Sequence, residues 1–213
     1  MFVRFLMTSP VITIEENESV LDAIHLMRKN KIRRLPVVDK KGALVGIVAD
    51  IDVVEFSPSK ASSLDRFELN YLIAKTPIQS IMSKEPYSVA PDDPIEMAAY
   101  LMEKYNIGGL PVISNGGLVG IITEIDVFRA FMQILGVKQD GIRLSVEIPN
   151  QTGELRKLVA MLSDDLVSKI ISIASHNQGN DNHKRSVILR LETKFEAQIR
   201  QLFLDAGYKI RNG

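Results

Sequence analysis

Apolar and polar residues follow two rhythms along the first half of the chain. Behind Ser19, a residue suited to capping a helix, Val20, Ala23, Ile24 and Met27 recur at helical spacing. Leu35–Val38 and Leu44–Val48 are short apolar runs separated by Asp39-Lys40-Lys41-Gly42, which predicts two buried strands joined by a hairpin-like turn. Val11–Ile14 is β-branched and strand-like, Glu15–Glu18 is a polar turn, and a helix is expected near Ile51–Phe56. The first unit therefore reads strand, helix, strand, strand, helix over residues 1–56. A linker with Pro58 and four serines follows, then helical spacing over Leu64–Lys75, ended by Thr76-Pro77.

The same plan then returns. Tyr87–Val89 reads as a strand, Pro94 falls in a first helical turn, and Ile95–Tyr105 has helical periodicity. Apolar runs at Leu110–Ile113 and Leu118–Ile122 precede a helix over Ile125–Leu135. Met7 and Met82, and Leu35-Pro36-Val37 and Leu110-Pro111-Val112, each lie 75 residues apart, and Gly46 and Gly120 lie 74 apart. Ala23, Leu26, Met27 and Ile32 match Ala98, Leu101, Met102 and Ile107. Two copies make an internal duplication, not a solenoid.

Beyond Gln139–Gly141 the rhythm changes. Ile142, Leu144, Val146 and Ile148 alternate with polar residues, as a half-buried strand requires. The turn Asn150–Gly153, a helix over Glu154–Leu162, a strand at Ile170–Ser175 and a polar hairpin at Asn177–Lys184 follow. A strand at Ser186–Thr193, a helix at Phe195–Asp205 and a strand at Tyr208–Arg211 complete βαββαβ, the ferredoxin-like order. The expected domains are thus 1–56, a linker with helix at 57–76, 77–136 and 141–213.

The chemistry concentrates where the strand Leu118–Ile122 stops at Thr123 and a helix starts. Free backbone N–H groups of a first helical turn suit a phosphate, and Asp126 could accept both hydroxyls of a ribose. A capping box, with Thr123 and the acid three residues on satisfying each other's backbone donors, is the plainer alternative. The first copy, Gly46–Asp52, keeps Asp52 but has Ala49 in place of the threonine. Its cleft is expected to be weaker, or empty.

Composition narrows the field. The 213 residues carry 26 basic and 26 acidic side chains, and this balance argues against general binding to nucleic acid or anionic membrane. Absence of cysteine removes disulfides, thiolate catalysis and zinc–sulfur sites. No apolar run approaches a membrane span, and the apolar start Met1–Met7 is too short for a signal peptide, so a cytoplasmic protein is expected. His25 lies in a helix. His176 and His183 share a polar hairpin with Asp181, but two histidines without a third placed ligand are weak grounds for a metal, and none is expected.

Met7-Thr-Ser-Pro-Val-Ile-Thr-Ile14, Ile32-Arg-Arg-Leu-Pro-Val-Val-Asp39 and Gly120-Ile-Ile-Thr-Glu-Ile-Asp126 resemble tandem CBS domains, the regulatory pair also called a Bateman module. The resemblance covers roughly residues 1–134 and implies an α/β (α+β) fold. In it two repeats pack sheet against sheet about a pseudo-two-fold axis, with two clefts for AMP, ADP, ATP or other adenosine ligands, and modules commonly pair into a dimer. It implies that Thr123 and Asp126 contact phosphate and ribose. It likewise implies that Arg33 and Arg34 meet the phosphates from the opposite repeat, with Gly108 and Gly109 leaving the reciprocal cleft uncharged. Tyr87, Ser88, Ile107 and Pro111 are expected around the adenine, and Thr13 and Asp52 in the weaker second cleft. For Arg33 and Arg34 a solvated pair, and for Tyr87 a core filler, are the alternatives. The C-terminal βαββαβ unit, with Asn150, Gly153 and Leu155, resembles an ACT domain, which often binds amino acids at a dimer interface. Aspartate and proline are more usual where Asn150 and Thr152 stand. A CBS pair followed by an ACT domain resembles the acetoin-utilisation AcuB-like proteins. The expected function is a non-catalytic nucleotide sensor that acts through its oligomer; the alternative is a dimerisation module for another protein, with no nucleotide.

Overall fold

A computed structural model describes residues 1–56, 66–163, 166–167, 169–178 and 181–211 of the chain. It divides into two compact units, Met1–Ala130 and Phe131–Gly213. The expected linker residues 57–63 lie outside the described residues.

In the first unit a single 3-10 turn at Val3–Phe5 precedes β1 (Ile14–Glu15), α1 (Val20–Asn30), β2 (Arg34–Val38), β3 (Leu44–Ala49) and α2 (Asp50–Phe56). After α3 (Arg66–Lys75) the plan repeats: a 3-10 turn at Ile78–Ser80, β4 (Ser83–Lys84), α4 (Ile95–Tyr105), β5 (Gly109–Ser114), β6 (Gly117–Thr123) and α5 (Glu124–Ile134). Helix α1 starts on a capping box: the Asp22 N–H donates to Ser19 Oγ at 3.2 Å, and the Ser19 N–H donates to the Asp22 carboxylate at 3.0 Å. Both α1 and α4 stop at a left-handed residue, Lys31 (φ 55°) and Asn106 (φ 52°), again 75 residues apart.

Two expected strands are shorter or displaced. Of Val11–Ile14 only Ile14 joins a strand, because the residues before it run towards the other repeat. Tyr87–Val89 forms no strand; Val89 alone bridges Val112, and the preceding Pro86 has no N–H to give a ladder. Pairing occurs four residues earlier, where β4 adds antiparallel to β3.

That pairing exposes an exchange between the repeats. Strand β4 lies in the leader, the segment that opens the second repeat, yet completes the sheet β1-β2-β3-β4 of the first. Reciprocally, Thr8 bridges Ile121 on β6, with both N–H···O bonds made at 2.9 and 3.1 Å. The cores follow suit. Ile78 is fully buried among Val20, Ala23, Leu35 and Val48 of the first repeat, and Val3 among Ile95, Ala98, Leu110 and Ile122 of the second. Gly46 and Gly120 permit the crossings. A Cβ on Gly46 would lie 2.5 Å from Met82 Sδ and one on Gly120 2.9 Å from Met7 Sδ, so any side chain would push the leader off.

The second unit contains β7 (Ile142–Pro149), α6 (Glu154–Ala160), β8 (Lys169–Gln178), β9 (Asp181–Glu192), α7 (Glu196–Asp205) and β10 (Lys209–Arg211). All pairings are antiparallel in the order β10-β7-β9-β8, the ferredoxin-like sheet. The inward residues of β7 and β9, Leu144, Val146, Val187, Leu189 and Leu191, are fully buried against Leu158, Ile199 and Phe203. Strands β8 and β9 run into the segment expected as a polar hairpin, because its backbone continues the ladder from His176 opposite Ser186 to Gln178 opposite Asp181. The unit also takes in the end of α5, where the Ser172 hydroxyl donates to the Leu135 carbonyl at 2.9 Å. Among the described residues no helix is long and apolar enough to cross a membrane.

Candidate functional site

Where β6 ends, Thr123 leads into α5 and Asp126 lies in its first turn. The Asp126 carboxylate is 12% exposed; Oδ2 accepts the Thr123 N–H at 3.0 Å and its hydroxyl at 2.6 Å, and Oδ1 accepts from Arg129 Nη1 at 3.2 Å. The threonine hydroxyl thus donates to the carboxylate, which also accepts the N–H of the residue before the helix, one half of a capping box. Each carboxylate oxygen has two lone pairs, so Asp126 retains capacity for a hydroxyl donor. In the first repeat the Ala49 N–H donates to Asp52 Oδ2 at 2.7 Å, and alanine has no hydroxyl to join it.

Two clefts related by the duplication flank these helix starts. The first, about 390 Å³, is walled by Thr123, Asp126 and Arg129 from the second repeat. Facing them are the leader residues Pro10, Val11 and Ile12 and the segment Lys31–Arg34 of the first. The other, about 370 Å³, is walled by Ala49 and Asp52, the leader residues Ser83–Tyr87 and the segment Asn106–Gly109. The leader exchange is what brings residues of both repeats into each cleft.

The geometry groups the expected residues differently from the sequence. Thr123, Asp126, Arg33 and Arg34 line one cleft together. Tyr87 and Ile107 line the other, with Asp52. Ser88 is exposed, Pro111 is buried, and neither lines either cleft. Thr13 lines a shallow groove with Val38 and Leu118, apart from Asp52. The physical reason is the crossing: each leader delivers its apolar residues to the helix start of the opposite repeat. Beside Asp126 the counterparts of Tyr87 and Ile107 are therefore Ile12 and Ile32, each 75 residues earlier. The same offset, applied to the leaders, would have found them. Lys31, Glu124 and Arg129 were not singled out from the sequence, although Arg129 sits one helical turn beyond Asp126.

The basic pair divides its work. Arg33 Nε donates to Asp50 Oδ2 at 2.7 Å, on a side chain 74% exposed. Arg34 instead crosses over Gly108 and Gly109. Its guanidinium carbon lies 2.7 Å from where a Gly108 Cβ would be, and its Cδ 3.0 Å from that of Gly109. The reciprocal cleft is consequently not uncharged, as the two glycines suggested: Arg34 and Lys84 both line it. Tyr87 is half exposed and stacks on Tyr105 with centroids 3.8 Å apart, so it does not fill the core. The hydrogen bond with Tyr87, then Lys104, holds the Tyr105 phenol below its ordinary pKa, while that bond pushes Tyr87 up.

In the second unit Asn150 is exposed and its N–H donates to the His183 carbonyl at 2.8 Å. Gly153 sits at φ 91° at the start of α6, a left-handed position that favours glycine. His25, His176 and His183 are exposed, and among the described residues no three potential metal ligands converge.

The family model described as "CBS domain" matches residues 3–59 and 78–133. Similar solved structures include the following three. The CBS domain pair of protein MJ0100, in complex with 5'-methylthioadenosine and S-adenosyl-L-methionine, is 31% identical with a TM-score of 0.52, over 65% of this chain and 98% of that one. A Vibrio cholerae protein assigned to acetoin utilization (AcuB) is 32% identical with a TM-score of 0.54, over 65% and 96%. CBSX2 in complex with AMP is 33% identical with a TM-score of 0.51, over 62% and 97%. The uncharacterized protein MJ1404 of Methanocaldococcus jannaschii is 37% identical over 146 residues, which are 67% of this chain but only 34% of that protein.

Proposed function

The chain belongs to the CBS-domain family, and we propose that its first unit is a non-catalytic regulatory module that binds an adenine nucleotide in the Asp126 cleft. One observation carries the reading: a half-enclosed cleft of about 390 Å³ sets a first-turn carboxylate opposite the cationic segment Lys31–Arg34, between apolar Ile12 and Ile32. A carboxylate suits ribose hydroxyls, guanidinium groups suit phosphate, and the apolar pair suits the faces of a base. Solved relatives bound to AMP, 5'-methylthioadenosine or S-adenosyl-L-methionine support the same ligand class. Isothermal titration of ligand-free protein with AMP, ADP, ATP and adenosine tests it. Saturable binding of at least one phosphorylated ligand, tighter than adenosine, is expected; absence of heat with all four refutes it.

The ligand acts by its differential affinity for two arrangements of the subunits, and the module is a homodimer. Ile51 and Val54 on α2 and their counterparts Ile125 and Phe128 on α5 are each 55–65% exposed, an apolar surface that suits a second copy. A Phe128→Asp variant that remains dimeric by light scattering would remove this part. The second unit serves as an ACT-type domain, with the Asn150–Gly153 turn open to a small ligand such as an amino acid. The ferredoxin-like strand order supports that assignment. A calorimetric amino-acid screen with Gly153→Val as the control tests it.

The alternative, an interaction module for another protein without nucleotide, draws on the same exposed helical surface. It predicts that, with AMP present, Asp126→Ala and the unaltered protein do not differ in assembly.

A further inference from the structure

We infer that Arg34 couples the two clefts, so that they do not hold two phosphate-bearing ligands independently; this deepens, and rests on, the nucleotide reading. Among the described residues, Arg34 alone lines both cavities. It can do so because residue 108 is glycine: the Arg34 guanidinium occupies the volume a Cβ there would fill, and Glu124 Oε2 lies 2.8 Å from the same point. Gly108 does not adopt a left-handed φ, so its lack of a side chain serves this seat and not a turn.

The surroundings of the guanidinium are unequal. The Asp126 cleft also holds Lys31, Arg33 and Arg129 against the carboxylates of Asp126 and Glu124, whereas among the described residues the other cleft offers Lys84 alone against those of Asp52 and Glu85. A phosphate therefore fills the Asp126 cleft first and draws Arg34 with it. A second phosphate, at the Asp52 cleft, then meets Lys84 and two carboxylates without the arginine. A ligand that lacks phosphate loses nothing by the withdrawal. The pair is thus suited to one nucleotide beside one uncharged nucleoside.

Titration calorimetry on the full chain, with AMP and adenosine as probes, tests the coupling. Asp52→Ala and Asp126→Ala report the AMP affinity of each cleft alone. In the unaltered protein the second AMP is expected to bind at least about tenfold more weakly than in Asp126→Ala, the loss of one charge-assisted contact. Adenosine should show no such gap. Arg34→Gln closes the gap to within about twofold, and Gly108→Ala, which keeps the charge but fills its seat, does likewise should Arg34→Gln fold poorly. Two AMP molecules binding with the single-cleft affinities, a gap that survives both variants, or no AMP bound by Asp126→Ala would each overturn the inference. The first two outcomes leave the nucleotide reading intact; absence of AMP binding in every protein removes both.

Discussion

Replacing Asp126 by alanine separates the two roles its geometry allows. The carboxylate accepts two bonds from Thr123 and one from Arg129. Its loss removes a helix cap, which costs about 1 kcal/mol, and leaves the half-buried Thr123 hydroxyl without its acceptor, for a total of about 1–2 kcal/mol. Arg129 is 65% exposed and returns to water, so its contribution is neglected. In a chain of this size the change lowers Tm by about 2–8 °C. A ribose hydroxyl donating to the carboxylate adds a different quantity. A hydrogen bond to a charged group is worth about 1.5–3 kcal/mol, hence a loss of about 10- to 150-fold in AMP affinity. The assay pairs differential scanning calorimetry with AMP titration at a temperature where the variant is folded by circular dichroism. Thr123→Val serves as control, since it removes the 2.6 Å hydroxyl bond but keeps the carboxylate and the backbone N–H it accepts. If Asp126→Ala loses stability as estimated yet binds AMP within about twofold of the unaltered protein, the carboxylate is a helix cap only.

Three further outcomes follow from packing and charge. Gly120→Leu displaces the leader at Met7 and Thr8, and should lower stability by about 1–3 kcal/mol in chemical denaturation; no change would mean the crossing is slack. Phe203→Ala opens a cavity among fully buried neighbours in the second unit and should cost about 3–5 kcal/mol, read as an earlier transition in calorimetry. Ser19→Ala removes the α1 cap for about 1 kcal/mol near neutral pH. The Ser19 hydroxyl and N–H hold the Asp22 carboxyl below its ordinary value of 3.8. The unfolded chain therefore binds that proton first, so the stabilisation is complete above 3.8 and is lost as pH falls through the lower folded value. The Tm gap between Ser19→Ala and the unaltered protein should narrow correspondingly in acid.

What the sequence disclosed, and what it hid, divides along sequence separation. Helices α1 and α4 and strands β2, β3, β5 and β6 were legible because their signals are local: a capping serine, a proline at a helix start, an apolar period. The destination of the leaders was not, because Thr8 pairs with Ile121 and Ser83 with Ile47, choices made by a free strand edge and not by the leaders' own pattern. The error at the site has the same origin. Arg33 and Arg34 were expected to serve the opposite repeat, yet Tyr87 and Ile107 were assigned to their own, and both assignments cannot hold in a duplicated fold. The matched glycines resolve it. Gly46 and Gly120 are bare at equivalent places, and in each the missing Cβ is replaced by a methionine from the other repeat's leader. Gly108 is bare for a related reason, with Arg34 in the vacated volume. A glycine outside any turn, facing a long side chain from the partner repeat, thus marks where the two halves interpenetrate. It follows that neither cleft belongs to one repeat, and a change that loosens a crossing at Gly120 should weaken ligand binding at Asp126 as well as stability.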